Sequence, residues 1–269
     1  MDIINYIILG LLQGFTEPLP ISSSGHIFLL KSIFNTTMFD DLNLEIFLNF
    51  ASFVAILFIF RKDVINLIKG FFKYLKTKRK EEKKYFDYAI KIIIGTIPVG
   101  IIGFIVKEPL EKILSDNIFL VGFGFLFTAV SLLLVMNTNG EKKDEDITMK
   151  DALIIGLFQT IALVPGISRS GLVLVASLLR GLNKKTAIKY TFMLYLPVSF
   201  ASMLLGTKDF IKTTFDLTTI IYYLIGMISA GALTYLSYNW LTKLVEKGKL
   251  WRFSIYLFAI AIFTIMFFI

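Results

Sequence analysis

Long apolar runs separated by short polar stretches dominate this chain of 269 residues. Six runs read as helices that cross a bilayer, at about 45–60, 89–106, 117–136, 190–206, 217–241 and 253–269. Several lie near the lower limit of roughly 17–25 residues for a span, so tilted helices and snorkelling ends are expected. Lys91 stands at one such end and can reach the headgroups. Four other apolar stretches, 3–13, 27–34, 151–164 and 172–179, are too short to cross. A half-helix of about 11 residues rises roughly 16 Å, which reaches the bilayer midplane and no further.

The short stretches flank, in pairs, two copies of one pattern. Gly10-Leu11-Leu12-Gln13 leads to Ile21-Ser22-Ser23-Ser24-Gly25, and Gly156-Leu157-Phe158-Gln159 leads to Ile167-Ser168-Arg169-Ser170-Gly171. Counted from each Gln, Ile falls at +8, Ser at +9 and +11, and Gly at +12. Pro20 and Pro165 break the helix ahead of the serines. Irregular polar backbone at membrane depth is tolerated only inside protein or beside a wet cavity, and a duplicated broken segment points to a binding site.

The expected fold is therefore an all-α integral membrane protein with six full transmembrane helices and two re-entrant helix hairpins. Residues 1–269 form a single membrane domain. The first repeat spans 1–136, with a hairpin at 3–34 and three spans. The second spans 151–269, with a hairpin at 151–180 and three spans. Three is odd, so the halves lie in opposite orientation and form an inverted-topology repeat whose two tips meet near the middle.

Charge supports this layout. Segments 61–88, 137–151, 180–189 and 242–252 fall on one side and carry a net +11, against −4 on the other. The positive-inside rule makes the first side cytoplasmic. Thr77 and Asn183 should then be cytoplasmic, and Thr36 and Ile269 outside. The run Lys73–Lys84 reads as a solvated, orienting loop, with contact to anionic headgroups as the sharper alternative.

Composition narrows the class. The chain is 56% hydrophobic, with mean hydropathy +0.74, which excludes an ordinary soluble domain. The net charge of +8 lies in loops between spans rather than along a soluble face, so no nucleic-acid partner is expected. The absence of cysteine excludes disulfides and thiolate chemistry. Asp2, with no Lys or Arg before the first apolar run, does not suit a signal peptide.

The tips carry the candidate chemistry. Pro18 and Pro20 should end the first half-helix near Glu17, and Gln13 and Glu17 share a face at i,i+4. The serines that follow are N-cap candidates, and a helix N-terminus is a ready anion site. The second tip adds Arg169, whose planar fork suits phosphate. Two N-termini and one Arg thus converge near the midplane, an arrangement that suits phosphate.

The segments QGFTEPLPISSSGH and PGISRSG resemble the two signatures of the undecaprenyl-pyrophosphate phosphatase family, also called the bacitracin-resistance protein BacA family. The likeness covers essentially the whole chain. It implies a plasma-membrane, multi-pass hydrolase that removes the terminal phosphate of a polyprenyl (C55) diphosphate, giving the monophosphate carrier recycled in cell-wall glycan synthesis. Carried over residue by residue, it assigns catalysis to Glu17, Ser23, His26 and Arg169. It places Gln13, Ser22, Ser24, Gly25, Ser168, Ser170 and Gly171 around the phosphates. It also implies a divalent cation, Mg²⁺ or Ca²⁺, with Glu17 as ligand. Two departures are present: many members have Glu where this chain has Gln13, and Ala-Thr where it has Leu172-Val173. The expected partners are the lipid substrate and the bilayer, with a homodimer left open.

Other readings stand beside these. Glu17 and Arg169 also suit a buried ion pair that holds the tips together. Ser23 suits a helix cap or phosphate ligand as well as a nucleophile, and attack by water activated by Glu17 or His26 is the alternative to a phosphoserine. Gln159 reads better as a packing hydrogen bonder than as a site residue. A flippase of an anionic lipid would share the architecture but needs no nucleophile with a base.

Overall fold

The computed structural model describes residues 3–34, 42–115, 117–210 and 216–268. Positions Thr36 and Ile269 lie outside this set. Eleven helices make up the described residues: α1 (Ile3–Thr16), α2 (Ser23–Phe34), α3 (Leu42–Ile59), α4 (Arg61–Thr77), α5 (Lys83–Ser115), α6 (Phe119–Val135), α7 (Met149–Ile161), α8 (Arg169–Leu179), α9 (Lys184–Phe210), α10 (Leu217–Glu246) and α11 (Trp251–Phe268). One 3-10 turn at Asp144–Asp146 and a β-bridge between Lys142 and Leu182 complete the regular structure among these residues.

Four helices are long and apolar enough to cross a membrane: Lys83–Val106 within α5, Lys184–Leu205 within α9, α10 and α11. The α3–α4 pair makes a fifth if counted together. The outward faces of these helices carry Phe104, Ile105, Ile228 and Met266, all strongly exposed. Apolar side chains at such exposure fit hydrocarbon rather than water. The protein is thus an all-helical membrane protein.

The segment 61–88, expected to be a loop, is mostly helix. The chain turns by 74° after α3 and continues as α4, and residues 83–88 already belong to α5. The apolar count alone missed α4 because its apolar positions recur at helical spacing among lysines rather than as a run.

Helix ends follow local chemistry. Thr148 caps α7 through the N–H of Asp151, and the Asp151 carboxylate accepts from the N–H of Thr148 in return. Asp151 is fully buried. It also holds Lys142 Nζ at 3.0 Å and Arg180 Nε at 2.7 Å, which ties the start of α7 to the end of α8.

The tip-bearing helices are carried across the chain. Helix α1 packs chiefly on α10, and α7 chiefly on α5. Both contacts use glycine pairs. A Cβ on Gly10 would lie 2.3 Å from the carbonyl oxygen of Gly226, and one on Gly156 would lie 2.4 Å from that of Gly95. Gly226 faces the Tyr6 carbonyl and the Leu48 side chain, while Gly95 faces the Ala152 carbonyl and the Leu194 side chain. Tyr6 and Ala152, Leu48 and Leu194, and Gly10 and Gly156 are each 146 residues apart, as are Gln13 and Gln159. Helices α6 and α11 pack on one another, and α8 lies buried along its length from Gly171 to Leu178.

Candidate functional site

At the first tip α1 ends at Thr16, where the N–H of Glu17 still donates to Gln13 O at 2.9 Å. Pro18 and Pro20 then offer no N–H, and the chain reverses through Leu19 and Ile21. Ser22 takes φ 69°, a left-handed conformation rare outside glycine. Such residues cluster at functional sites and are held there by their surroundings. Here the Ser22 Oγ accepts the N–H of Gly25 at 3.3 Å, and its carbonyl lies 2.7 Å from His26 Nδ1.

The second tip repeats the cap. Gly166 turns the chain at φ 88°, and the Ser168 Oγ accepts the N–H of Gly171 at 3.1 Å. Each cap serine also approaches the serine two residues on: Ser22 to Ser24 at 3.5 Å and Ser168 to Ser170 at 3.3 Å. Helices α2 and α8 therefore begin at the same place with the same chemistry. The tips touch directly: Ser170 Oγ donates to Leu19 O at 2.9 Å, and a Cβ on Gly25 would stand 2.8 Å from the Cα of Gly166. Thr128 of α6 steadies the second tip by accepting the N–H of Ser168 at 3.0 Å.

The charged groups meet across this junction. Arg169 Nη2 donates to Glu17 Oε1 at 2.8 Å. Ser23 Oγ donates to Glu17 Oε2, and Gln13 Nε2 reaches the same oxygen at 3.2 Å. Gln13 Nε2 also lies 2.7 Å from Asn49 Oδ1 on α3. The Arg169 guanidinium sits 4.7 Å above the ring of Tyr195 on α9, a cation–π contact. The Glu17 side chain is 8% exposed and that of Arg169 28%. One carboxylate thus bridges a hydroxyl from its own tip and a guanidinium from the other.

His26 lies elsewhere. Its Nδ1 faces a carbonyl, which can only accept, so Nδ1 carries the proton in the neutral ring. Its Nε2 then accepts from the Tyr256 hydroxyl of α11 at 2.6 Å, and the two rings stack. Both ring nitrogens are engaged away from Ser23. The structure therefore brings Glu17, Ser23 and Arg169 together, and places His26 behind the tip as a brace of Ser22.

The other sequence candidates divide by role. Gln13 orients Glu17. Ser22 and Ser168 are caps, Ser170 joins the tips, and Ser24 is exposed beside them. Gly25 and Gly171 give their N–H groups to the caps, and a Cβ on Gly25 would collide with Phe125 at 2.7 Å. Gln159 is buried, and both its amide atoms lack a hydrogen-bond partner among the described residues. Reading by sequence missed Asn49, Tyr195, Tyr256 and Thr128. Asn49 had a signal, being one helical turn from Glu45 in an otherwise apolar run. The others sit in spans rich in aromatic and small residues, where nothing local sets them apart.

Among the described residues no three His, Cys, Asp or Glu side chains converge as a metal cage. Glu17 is the carboxylate at the junction and already meets Arg169. That donor set fits a hard cation only if substrate oxygens supply most of its ligands, as is usual for Mg²⁺.

The sequence model of the family described as bacitracin resistance protein BacA matches residues 6–263. A relative from Bacillus thuringiensis, undecaprenyl-diphosphatase 2, is 40% identical over 265 residues, covering 98% of this chain and 97% of its own. Undecaprenyl-diphosphatase 1 of Bacillus licheniformis is 37% identical over 265 residues, covering 98% of each. The undecaprenyl-diphosphatase of Oceanobacillus iheyensis is 36% identical over 266 residues, covering 98% of this chain and 96% of its own. With the match running through both tips and nearly end to end, the chain belongs to the bacitracin resistance protein BacA family.

Proposed function

We propose that this protein is an undecaprenyl-diphosphate phosphatase of the cell membrane, which hydrolyses the terminal phosphate of the lipid diphosphate to leave the monophosphate carrier. The observation that carries this reading is the bond from Ser23 to Glu17 together with the ion pair from Glu17 to Arg169. A hydroxyl on a carboxylate, with a guanidinium and two helix N-termini alongside, is a nucleophile, a base and an anion clamp in one place.

Ser23 Oγ attacks the terminal phosphorus in line, and its proton passes to Glu17 Oε2. The bond from phosphorus to the bridging oxygen breaks, and polyprenyl monophosphate leaves. Glu17 gives that proton to the departing monophosphate. As a carboxylate again it takes a proton from water, which attacks the phosphoserine, and it returns that proton to the Ser23 oxygen as inorganic phosphate leaves. Arg169 changes partner from Glu17 to the phosphoryl oxygens as negative charge gathers there, which is usually the largest catalytic term. His26 holds Ser22, and so the start of α2, in register. A divalent cation would be held by Glu17 and substrate oxygens and would neutralise phosphate charge.

The architecture proposed with this function is six spans with two re-entrant hairpins, α1–α2 and α7–α8, in an inverted repeat. The exchanged glycine contacts and the shared 146-residue offset support it. Helix α6, 17 residues long, would be the shortest span.

Ser23→Ala tests the chemistry. The variant should bind the C55 diphosphate and release almost no phosphate in detergent. Activity within about tenfold of the parent, on the order of 1.4 kcal/mol in barrier, would replace the phosphoserine with direct attack by water. Chelator should abolish release by the parent, and added Mg²⁺ should restore it; full activity in chelator would remove the cation from the scheme.

A further inference from the structure

Helix α4 lies away from the site and none of the chemistry above uses it. It follows α3 after a single residue, Phe60, at a bend of 74°. Helix α3 has 18 residues and so rises about 27 Å, nearly the thickness of the hydrocarbon core. It needs no continuation to cross. A sharp bend at that point lays α4 along the membrane surface.

Its faces are sorted by angle. Gly70 is buried against α5, where a Cβ would lie 2.3 Å from the Tyr85 ring. Asp63 is bound by Lys189 of α9 at 2.7 Å, and Lys73 pairs with Glu82. These contacts fix the helix about its own axis. The face they leave outward carries Ile65, Ile68, Phe72 and Leu75, all exposed and spaced at i, i+3, i+7 and i+10. Beside that stripe run Lys62, Lys69, Lys73 and Lys76, also exposed. Lys62, Lys69 and Lys76 have no acidic partner among the described residues. Lys69, Lys73 and Lys76 line a shallow groove of about 430 Å³ with Ile68, Phe72 and Thr77.

An apolar stripe edged by a lysine stripe on a surface helix is the pattern of an interfacial anchor. Hydrocarbon accounts for the first stripe. Phosphate-bearing headgroups with net negative charge account for the second, because zwitterionic heads leave three lysines unmatched. We infer that α4 is a docking surface for the anionic phospholipids of the surrounding bilayer, with Ile65, Ile68, Phe72 and Leu75 in the acyl boundary and Lys62, Lys69 and Lys76 on headgroup phosphates. Each lysine so placed favours an anionic over a neutral surface on the order of fivefold.

The test uses the full-length protein, whose lack of cysteine lets Leu75→Cys carry a single bimane fluorophore. The labelled protein is reconstituted in phosphatidylcholine vesicles with equal mole fractions of either brominated phosphatidylglycerol or brominated phosphatidylcholine. Both bromolipids should quench the fluorophore, and the phosphatidylglycerol should quench it several-fold more. That excess should vanish in Lys62→Gln/Lys69→Gln/Lys76→Gln while the common quenching persists. High salt should erase the excess in the parent without any lysine change, which keeps the test decisive if the triple variant misfolds. No quenching by either lipid, whether from exposure to water or from cover by a second copy, overturns the proposal. So does equal quenching by both lipids in the parent at low salt.

Discussion

Arg169 acts through shape as well as charge. Its guanidinium is held between the Glu17 carboxylate and the Tyr195 ring, which fixes the plane of the fork. Arg169→Lys keeps the charge and loses both the fork and the stacking, so phosphate release should fall by at least about a hundredfold, or roughly 2.7 kcal/mol in barrier. Near-parental turnover of that variant would take Arg169 out of the site. Tyr256→Phe removes the donor to His26 Nε2 and frees the ring to change tautomer. It should lower kcat with little change in KM, because the geometry of the tip suffers rather than its contact with the lipid. A pure KM effect would place Tyr256 in substrate binding instead. The sequence made the three converging residues legible, because a polar residue in an oily repeat needs a reason. It did not show which way His26 faces, since that depends on a hydroxyl 230 residues away on α11.

Helix contacts were partly legible. The repeat predicted that two short helix pairs would be equivalent. The hydroxyls of Ser22 and Ser168 make matching cap bonds, while the backbone differs, left-handed at Ser22 and extended at Ser168. Periodicity did not reveal α4, nor that α1 and α7 would each rest on a helix of the other half, since Gly95 and Gly226 look like any glycine in a span. Gly156→Val should push α7 off α5, because backbone stands 2.4 Å from the new Cβ. Loss of detergent stability and of activity together would show this, and a parental melting temperature would contradict it. The buried Asp151 gives a separate test at the base of α7. Burial pulls its carboxyl upward, but hydrogen bonds from Thr148, Lys142 and Arg180 outweigh this and hold it well below the ordinary carboxylate range. A depressed carboxyl stabilises the fold above its unfolded titration range, and the contribution fades only as pH drops through the folded value. The parent should therefore keep this closure through mildly acidic pH. Asp151→Ala, which removes the partner of the Thr148 cap and leaves two partly exposed cations unpaired, should cost about 1–3 kcal/mol. Equal thermal stability of the variant and the parent would show that the cluster is solvated and weak.

The molecule as a whole makes a topological prediction. The proposed architecture, with three spans between the tips, puts Thr77 and Asn183 on one side and Thr218 on the other. Single cysteines at these positions should react with an impermeant thiol reagent in intact cells at 218 only. Labelling of 183 together with 218 would mean that a tip segment crosses the membrane, and the two tips could not then form one site. The dependence of α1 on α10 reaches further, into synthesis. The chain leaves the ribosome with Gly10 about 200 residues ahead of its contact Gly226. Until α10 is inserted, the segment bearing Glu17 and Ser23 lacks its main packing partner and has only the smaller contacts with α3 and α6, whereas α7 meets an α5 already in place. The second tip is thus assembled during translation and the first only near its end, so a nascent chain halted before residue 217 should hold a protease-sensitive first tip beside a protected second one.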